Sequence, residues 1–174
     1  MIDPVIQIIM MAVVSAIFII AAAHKLVSLQ KFKEQLNDYK LIPERWVPLF
    51  ALLIPVFEAG SVFLYLYPET RSIGGVALVS LLLIYIGAIG INLLRGRSEI
   101  DCGCAGQKQQ HLSSWLLFRN SIIIFFIILS LFEFDNRSLL FVEWLMVATS
   151  VFVFLILYWS LNNLLANRSL MKTL

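Results

Sequence analysis

Five long apolar runs dominate the hydrophobic pattern of this chain, and short polar segments separate them. The runs cover residues 4–23, 47–67, 73–94, 115–134 and 139–161. Each has about the 20 residues that a helix needs to cross a bilayer, and none alternates between apolar and polar positions as a barrel strand does. Only helices and closed barrels satisfy their backbone in lipid. The pattern therefore predicts an all-α, polytopic membrane bundle with about five transmembrane helices.

The connections between the runs predict how the helices are arranged. Residues 25–46 form one long connection in which apolar residues recur at intervals of three and four among charged ones. This spacing predicts an amphipathic helix lying along the membrane surface. The turns at 68–72 and 135–138 are short. We therefore expect the second and third helices, and likewise the fourth and fifth, to pack as antiparallel neighbours.

Composition agrees with a membrane protein and narrows the class of partner. Hydrophobic residues make up 60% of the chain, charged residues 14%, and the mean hydropathy is +0.89, whereas a soluble domain is about 45–50% apolar and about 25% charged. We expect a single integral domain over residues 1–174 in the cell (inner) membrane, with the lipid bilayer as its surroundings. A net charge of +2 without a basic stripe gives no indication of nucleic-acid binding. The first run follows Asp3 with no basic residue before it, so it is predicted to be a retained helix and not a cleaved signal.

The distribution of lysine and arginine predicts an orientation. With five spans, ten basic residues share one side and only Arg71 and Arg137 lie on the other. The ten are Lys25, Lys31, Lys33, Lys40, Arg45, Arg95, Arg97, Lys108, Arg168 and Lys172. Basic loops stay in the cytoplasm, so the loop between the third and fourth runs is predicted to be cytoplasmic.

That loop contains both cysteines of the chain, in the sequence Asp101-Cys102-Gly103-Cys104-Ala105-Gly106. A disulfide across one intervening residue closes a small, strained ring, and strain makes the bond easier to reduce. A structural disulfide would normally close a longer loop, so the spacing favours redox exchange. Neighbouring arginines favour the thiolate and the adjacent aspartate opposes it. The two glycines allow a tight turn and the close approach of a partner protein.

Two other interpretations of the cysteine pair remain open. Cys102 and Cys104 could hold Cu(I) or zinc together with His111. Alternatively, the thiols are inert and the chain is a non-catalytic scaffold for a partner protein.

Ionisable and amide side chains lie inside the apolar runs, near the end that adjoins the cysteine loop. Glu58 lies about 15 Å into the second run, and Arg119 and Asn120 lie in the first two turns of the fourth. Asn92 and His24 lie near the ends of the third and first runs. An ionisable residue within a membrane is a candidate functional residue because its exposure to lipid is costly.

Each of these residues also has a purely structural explanation. Arg119 could extend to the headgroups, Asn92 and Asn120 could join helices, and His24 beside Lys25 could be an interfacial residue. Glu58 is the hardest to explain in this way.

Pro55, three residues before Glu58, frees a backbone carbonyl and favours a kink. We therefore predict that Glu58 faces the bundle interior on the same side as Arg119, where it holds that arginine or carries a proton released by the thiols.

These residues together resemble the MauE family, the methylamine utilisation membrane proteins of the wider DoxX-like group. The resemblance covers residues 21–120, and its most specific part is Asp-Cys-Gly-Cys-x-Gly after Arg95-Gly96-Arg97. Supporting matches are Ala-Ala-His24-Lys-Leu, residues 39–43, residues 55–60 with Glu58, Ser113-Ser114 and Arg119-Asn120. Ala105 stands where the family often has Phe. The resemblance implies a helical membrane bundle that works with a thioredoxin-like partner in the maturation of exported proteins.

The sequence is interpreted as that of a membrane thiol–disulfide oxidoreductase or an accessory factor in such exchange. Cys102 and Cys104 would exchange with a partner's dithiol through a mixed disulfide. A chain with one cysteine pair cannot relay electrons between two pairs of its own, so electrons go to or come from a quinone, a second protein or a site reached by movement. The candidate catalytic residues are Cys102, Cys104, Arg119 and Glu58.

The strained spacing generates a prediction about reduction potential. We expect the Cys102–Cys104 pair to equilibrate with glutathione buffers at a more oxidising potential than a structural disulfide does. Thiol labelling after equilibration measures it. A potential below about −300 mV, which is typical of resistant structural bridges, would contradict the prediction.

Overall fold

The computed structural model describes residues 3–96, 114–132 and 139–171, with side chains described as far as Leu164. Every regular element in these ranges is helical, as predicted. The elements are α1 (Pro4–Val27), α2 (Leu29–Asp38), a short 3-10 turn (Glu44–Trp46), α3 (Val47–Leu66), α4 (Arg71–Leu94), α5 (Ser114–Ser130) and α6 (Phe141–Met171).

The predicted runs correspond to five of these helices. Among the described residues, α1, α3 with its preceding 3-10 turn, α4 and α6 are long and apolar enough to cross a membrane. They fit a multi-pass membrane protein. Helix α5 is apolar but has only 17 residues, and at 1.5 Å per residue it is about 26 Å long. Helix α1 runs four residues beyond the predicted span, whereas α5 ends four residues earlier than expected.

The start of α1 and the connection after it follow from local sequence. Asp3 accepts a hydrogen bond from the Val5 amide at 3.0 Å, and Pro4 occupies the first helical position. Both features are typical of a helix N-terminus. The amphipathic segment predicted in residues 25–46 is α2, which buries Phe32 against the bundle.

Helix α1 is the central element of the bundle. It packs against α3, α5 and α6, and α4 packs against α3 and α5. Four helices share one apolar core, formed by Met11, Val14, Phe18, Val62, Tyr65, Leu78, Leu82, Ile123 and Ile127. On α1 the buried positions recur every three or four residues from Met11 to Lys25, so one stripe of the helix faces the core and the rest faces outward.

The expected close pairing of the fourth and fifth spans is wrong. Helix α6 packs mainly against α1, and α5 packs against α1 and α4. Because α5 buries its inner face against those two helices, α6 lies at the periphery. Most of its large apolar side chains, such as Phe141, Phe152 and Trp159, are exposed on the bundle surface. In a bilayer such a face contacts lipid.

Helix α5 nevertheless runs from one end of the bundle to the other. At its C-terminal end, the Ser130 hydroxyl hydrogen-bonds the hydroxyl of Tyr65, near the end of α3. The Ser130 carbonyl accepts a hydrogen bond from Gln7, in the first turn of α1, at 2.8 Å. Toward its N-terminal end, Arg119 donates a hydrogen bond to Asn162, near the last α6 residue whose side chain is described. The short helix therefore crosses the same depth of the bundle as its neighbours.

Gly74 permits the close approach of α3 and α4 beside their short turn. A β-carbon at Gly74 would fall on the backbone of Tyr65, whereas one at Gly87 would meet nothing within 4 Å. Small residues at such crossings let membrane helices pack backbone to backbone.

This contrast gives a matched pair of substitutions. Gly74→Ala forces α3 and α4 apart and is expected to destabilise the protein by about 1–3 kcal/mol, the range typical of overpacking. Gly87→Ala adds a methyl group in open space and should be neutral or stabilising by up to about 1 kcal/mol, because alanine favours helix. Thermal unfolding in detergent measures both. Equal effects of the two changes would contradict the packing described.

Candidate functional site

The cysteine loop lies outside the described residues. Cys102 and Cys104 belong to it, as do Asp101, Gly103, Gly106 and His111. The structure does describe the two helices on either side of the loop. Helix α4 ends at Leu94 and α5 begins at Ser114, so the loop starts and finishes on these two helices.

Glu58 lies in the interior, as predicted, with a residue exposure of only 1%. It is the twelfth residue of α3 and follows Pro55 on the same buried stripe. One carboxylate oxygen, Oε1, accepts hydrogen bonds from the Lys25 ammonium and from the Tyr85 hydroxyl. A carboxylate in the interior of a bundle is thus paired with a cation and with a neutral donor, from α1 and α4 respectively.

Lys25 turns into the bundle and forms the ion pair with Glu58. Its Nζ lies 3.3 Å from the Tyr85 hydroxyl, 5.0 Å from the centre of the Tyr85 ring and 5.5 Å from that of Phe32. Residue exposure of Lys25 is only 4%, although a lysine two residues from a helix end normally extends to the headgroups. The aromatic faces and the carboxylate stabilise the ammonium in place of water.

A small cavity of about 30 Å³ adjoins this ion pair. Helices α1, α3, α4, α5 and α6 all contribute to its lining. Its polar and aromatic lining residues are Lys25, Glu58, Tyr85, Arg119, Asn120 and Tyr158, and the others are Ile17, Phe18, Ala21, Leu82 and Ile123. The cavity therefore joins the buried ion pair to the first turns of α5.

Arg119 and Asn120 are both buried and both line the cavity. The Arg119 guanidinium donates to the Asn120 amide oxygen at 3.3 Å and to that of Asn162 at 3.5 Å. The hypothesis that Glu58 holds Arg119 needs correction, because the cation in contact with Glu58 is Lys25. Lys25 contacts Glu58 because the two residues lie on buried stripes of α1 and α3, and these stripes face each other.

Asn92 and His24 lie near the same end but outside the cavity lining. Asn92 is fully buried in the last turns of α4, where its amide nitrogen donates to the Ala88 carbonyl at 3.0 Å. His24 is half-buried beside Lys25. The Asn92 hydrogen bond lies within α4 and joins it to no other helix. The interfacial role of His24 stays a prediction.

Lys25 and Tyr85 are the site residues that sequence reasoning missed. From its place in the sequence, Lys25 is a charge at the start of a loop, beside a histidine predicted to be interfacial. Its spacing contains the missing signal, since it lies seven residues after Phe18 and three after Ala22, both buried. Tyr85 lies three residues after Leu82 on the buried side of α4, but nothing in its surroundings singles it out.

The arrangement holds a buried pair of charges, and the size of the cavity limits what else it can bind. A cavity of about 30 Å³ has room for one or two water molecules, so it does not fit the ring of a quinone. Among the described residues there is no group of three histidine, cysteine, aspartate or glutamate side chains that could hold a metal ion. The alternative metal ligands Cys102, Cys104 and His111 fall outside those residues.

Comparison with known proteins gives a consistent family. The family model described as Methylamine utilisation protein MauE matches residues 3–133. A methylamine utilization protein MauE from Paracoccus denitrificans is 32% identical over 108 residues, 62% of this chain and 58% of that protein. The protein of the same name from Methylophilus methylotrophus is 34% identical over 102 residues, 59% of this chain and 54% of the relative. The chain thus aligns with little more than half the length of these relatives. No solved structure matches it significantly.

The ion pair generates a stability prediction. Lys25→Met leaves the Glu58 carboxylate buried without its cation and should destabilise the protein strongly, by about 3–5 kcal/mol. Adding Glu58→Leu should recover part of that loss, because the second change removes the uncompensated charge. Thermal or denaturant unfolding in detergent gives the double-mutant cycle.

Lys31→Met, on the exposed side of α2, is the matched control and should change stability little. Additive effects of the Lys25 and Glu58 substitutions would show that the two side chains do not interact.

Proposed function

Since the chain belongs to the MauE family, we propose that it is a membrane thiol–disulfide exchange factor that works with a thioredoxin-like partner. Cys102 and Cys104 carry the exchange, and the client is an exported protein undergoing maturation. This client requires the cysteine loop to face away from the cytoplasm, opposite to the orientation that the basic residues predict. We further propose that this maturation serves methylamine utilisation, as the names of the relatives suggest. The activity is proposed for the whole protein.

The observation that supports the proposal is the position of the polar cavity between helices α4 and α5, whose ends adjoin the cysteine loop in the sequence. Helices α4 and α5, whose ends bracket the loop, supply Tyr85, Arg119 and Asn120 to the cavity lining. An ionisable network inside a membrane bundle is costly to maintain. Its location between these two helices suggests a role connected with the chemistry of the loop.

The exchange is balanced without an external oxidant. A thiolate of one protein's dithiol attacks a sulfur of the other protein's disulfide. That S–S bond breaks, and a mixed disulfide forms between the two proteins. The second thiolate of the attacking pair then attacks its neighbour's sulfur in the mixed disulfide, forms a new S–S bond with it, and releases the other protein as a dithiol. Overall, two electrons and two protons pass from one protein's dithiol to the other protein's disulfide. The same steps run in either direction, according to the two reduction potentials.

Repeated turnover needs a further electron acceptor or donor, either a quinone or a second protein. The cavity beside Glu58 does not fit a quinone ring, so a quinone would have to bind elsewhere. A second thiol protein needs only access to the loop that carries Cys102 and Cys104.

The buried network has a proposed part in proton handling. The attacking thiol must lose its proton before it reacts, and Glu58 can accept one through water. Tyr85 lies eleven residues before Gly96, or about 16 Å along α4, so transfer between the loop and Glu58 requires intervening groups. In this scheme Lys25 and Tyr85 are positioning residues, because they act on the carboxylate and not on the sulfur.

Single-cysteine variants test the exchange directly. In cells, Cys102→Ser or Cys104→Ser should trap a partner in a mixed disulfide that a reductant releases, because the resolving thiol has been removed. Non-reducing electrophoresis of the full-length protein, followed by identification of the partner, measures this. The variant with both serines is the control and should trap nothing.

Complementation separates exchange from a scaffold role. The double-serine variant should accumulate in the membrane yet fail to restore growth on methylamine. Full restoration by that variant, with no adduct from either single-cysteine variant, would overturn the proposal in favour of the scaffold.

A further inference from the structure

Glu58 Oε2 and Asn120 Nδ2 are buried polar atoms beside the cavity that have no hydrogen-bond partner among the described residues. On Glu58, both donors reach Oε1, and Oε2 has none. On Asn120, the oxygen accepts from Arg119, and the amide nitrogen Nδ2 has no acceptor. Glu58 is 1% exposed and Asn120 is 2% exposed. One of the two atoms is an acceptor and the other a donor, and both residues line the same cavity.

These atoms belong to helices that are joined through their neighbours. Helices α1 and α4 each pack against both α3, which carries Glu58, and α5, which carries Asn120. The cavity is lined by residues of these four helices and by Tyr158 of α6. A small group within it can therefore contact α3 and α5 together.

The size and chemistry of the cavity identify that group. Leaving a buried donor or acceptor without a partner costs about 1–3 kcal/mol, so an occupant that satisfies both atoms is favoured. A cavity of about 30 Å³ exceeds the roughly 10–15 Å³ that one water requires. Water both donates and accepts hydrogen bonds. A lipid or detergent chain would satisfy neither atom.

We propose that the cavity is an internal water site, in which one water accepts a hydrogen bond from Asn120 Nδ2 and donates one to Glu58 Oε2. The water joins α3 to α5 at the level of the Lys25–Glu58 ion pair. It also gives the second carboxylate oxygen a route for proton exchange that does not pass through Lys25 or Tyr85. The site is independent of whether the cysteine pair performs thiol–disulfide exchange.

A crystal structure of the full-length protein in a lipidic mesophase tests the site. We expect a water peak within hydrogen-bond distance, about 2.7–3.2 Å, of both Glu58 Oε2 and Asn120 Nδ2. The peak should be lost in Asn120→Leu and retained in Asn92→Leu. Asn92 is the matched control because it is also buried and its Oδ1 has no hydrogen-bond partner among the described residues, yet it does not line the cavity.

The wild-type structure is decisive even if the leucine variant does not fold. Elongated density from a lipid or detergent chain, no density at all, or a direct Glu58–Asn120 hydrogen bond would each overturn the proposal.

A double-mutant cycle gives a second, solution measurement. Glu58→Gln and Asn120→Ser should be coupled by about two- to tenfold in the unfolding equilibrium constant, because both changes act on one bridging water. The corresponding cycle of Glu58→Gln with Asn92→Ser should be additive. Additivity in both cycles would contradict the bridge.

Discussion

The ion pair between Lys25 and Glu58 is the interaction on which the arrangement of this end of the bundle depends. Neither charge is stable alone in the bundle interior, because the cost of removing each charge from bulk water is offset mainly by its partner. The pair therefore fixes the end of α1 against the middle of α3. The Tyr85 hydroxyl connects α4 to the pair by donating a hydrogen bond to Glu58. The ring of Phe32, from α2, lies over the Lys25 ammonium. The surface helix α2 is consequently held on the bundle through a buried charge as well as through apolar contact.

At the opposite end of the bundle, the described contacts between helices include close packing and neutral hydrogen bonds. There α3 and α4 meet at Gly74, and the paired hydroxyls of Tyr65 and Ser130 join α3 to α5. Membrane helices generally use contacts of this kind. The Lys25–Glu58 ion pair adds a charged contact toward the end where α4 and α5 adjoin the cysteine loop.

The sequence predicted the helices well and their neighbours less well. The length of an apolar run and the spacing of apolar residues are local properties of the sequence. The five runs and the amphipathic helix α2 could therefore be recognised. Which helices pack together depends on the side of each helix that faces the bundle core. In a membrane the core-facing and the lipid-facing sides are both apolar, so the sequence does not distinguish them. The turn before α6 therefore suggested the wrong neighbour. Glu58 could be placed in the interior because its exposure to lipid is costly. Its partner Lys25 was missed because a lysine near a helix end usually reaches water.

The cysteine loop and the interior of the bundle differ in what each can contact. A thiol that exchanges with a partner protein has to be accessible, and both cysteines lie in the connection between α4 and α5. The carboxylate of Glu58 is enclosed and can exchange only small groups such as water or protons. The same two helices contribute to both parts, through Tyr85 on one and Asn120 on the other. The proposed thiol exchange in the loop and the enclosed carboxylate are thereby linked through the same pair of helices, α4 and α5.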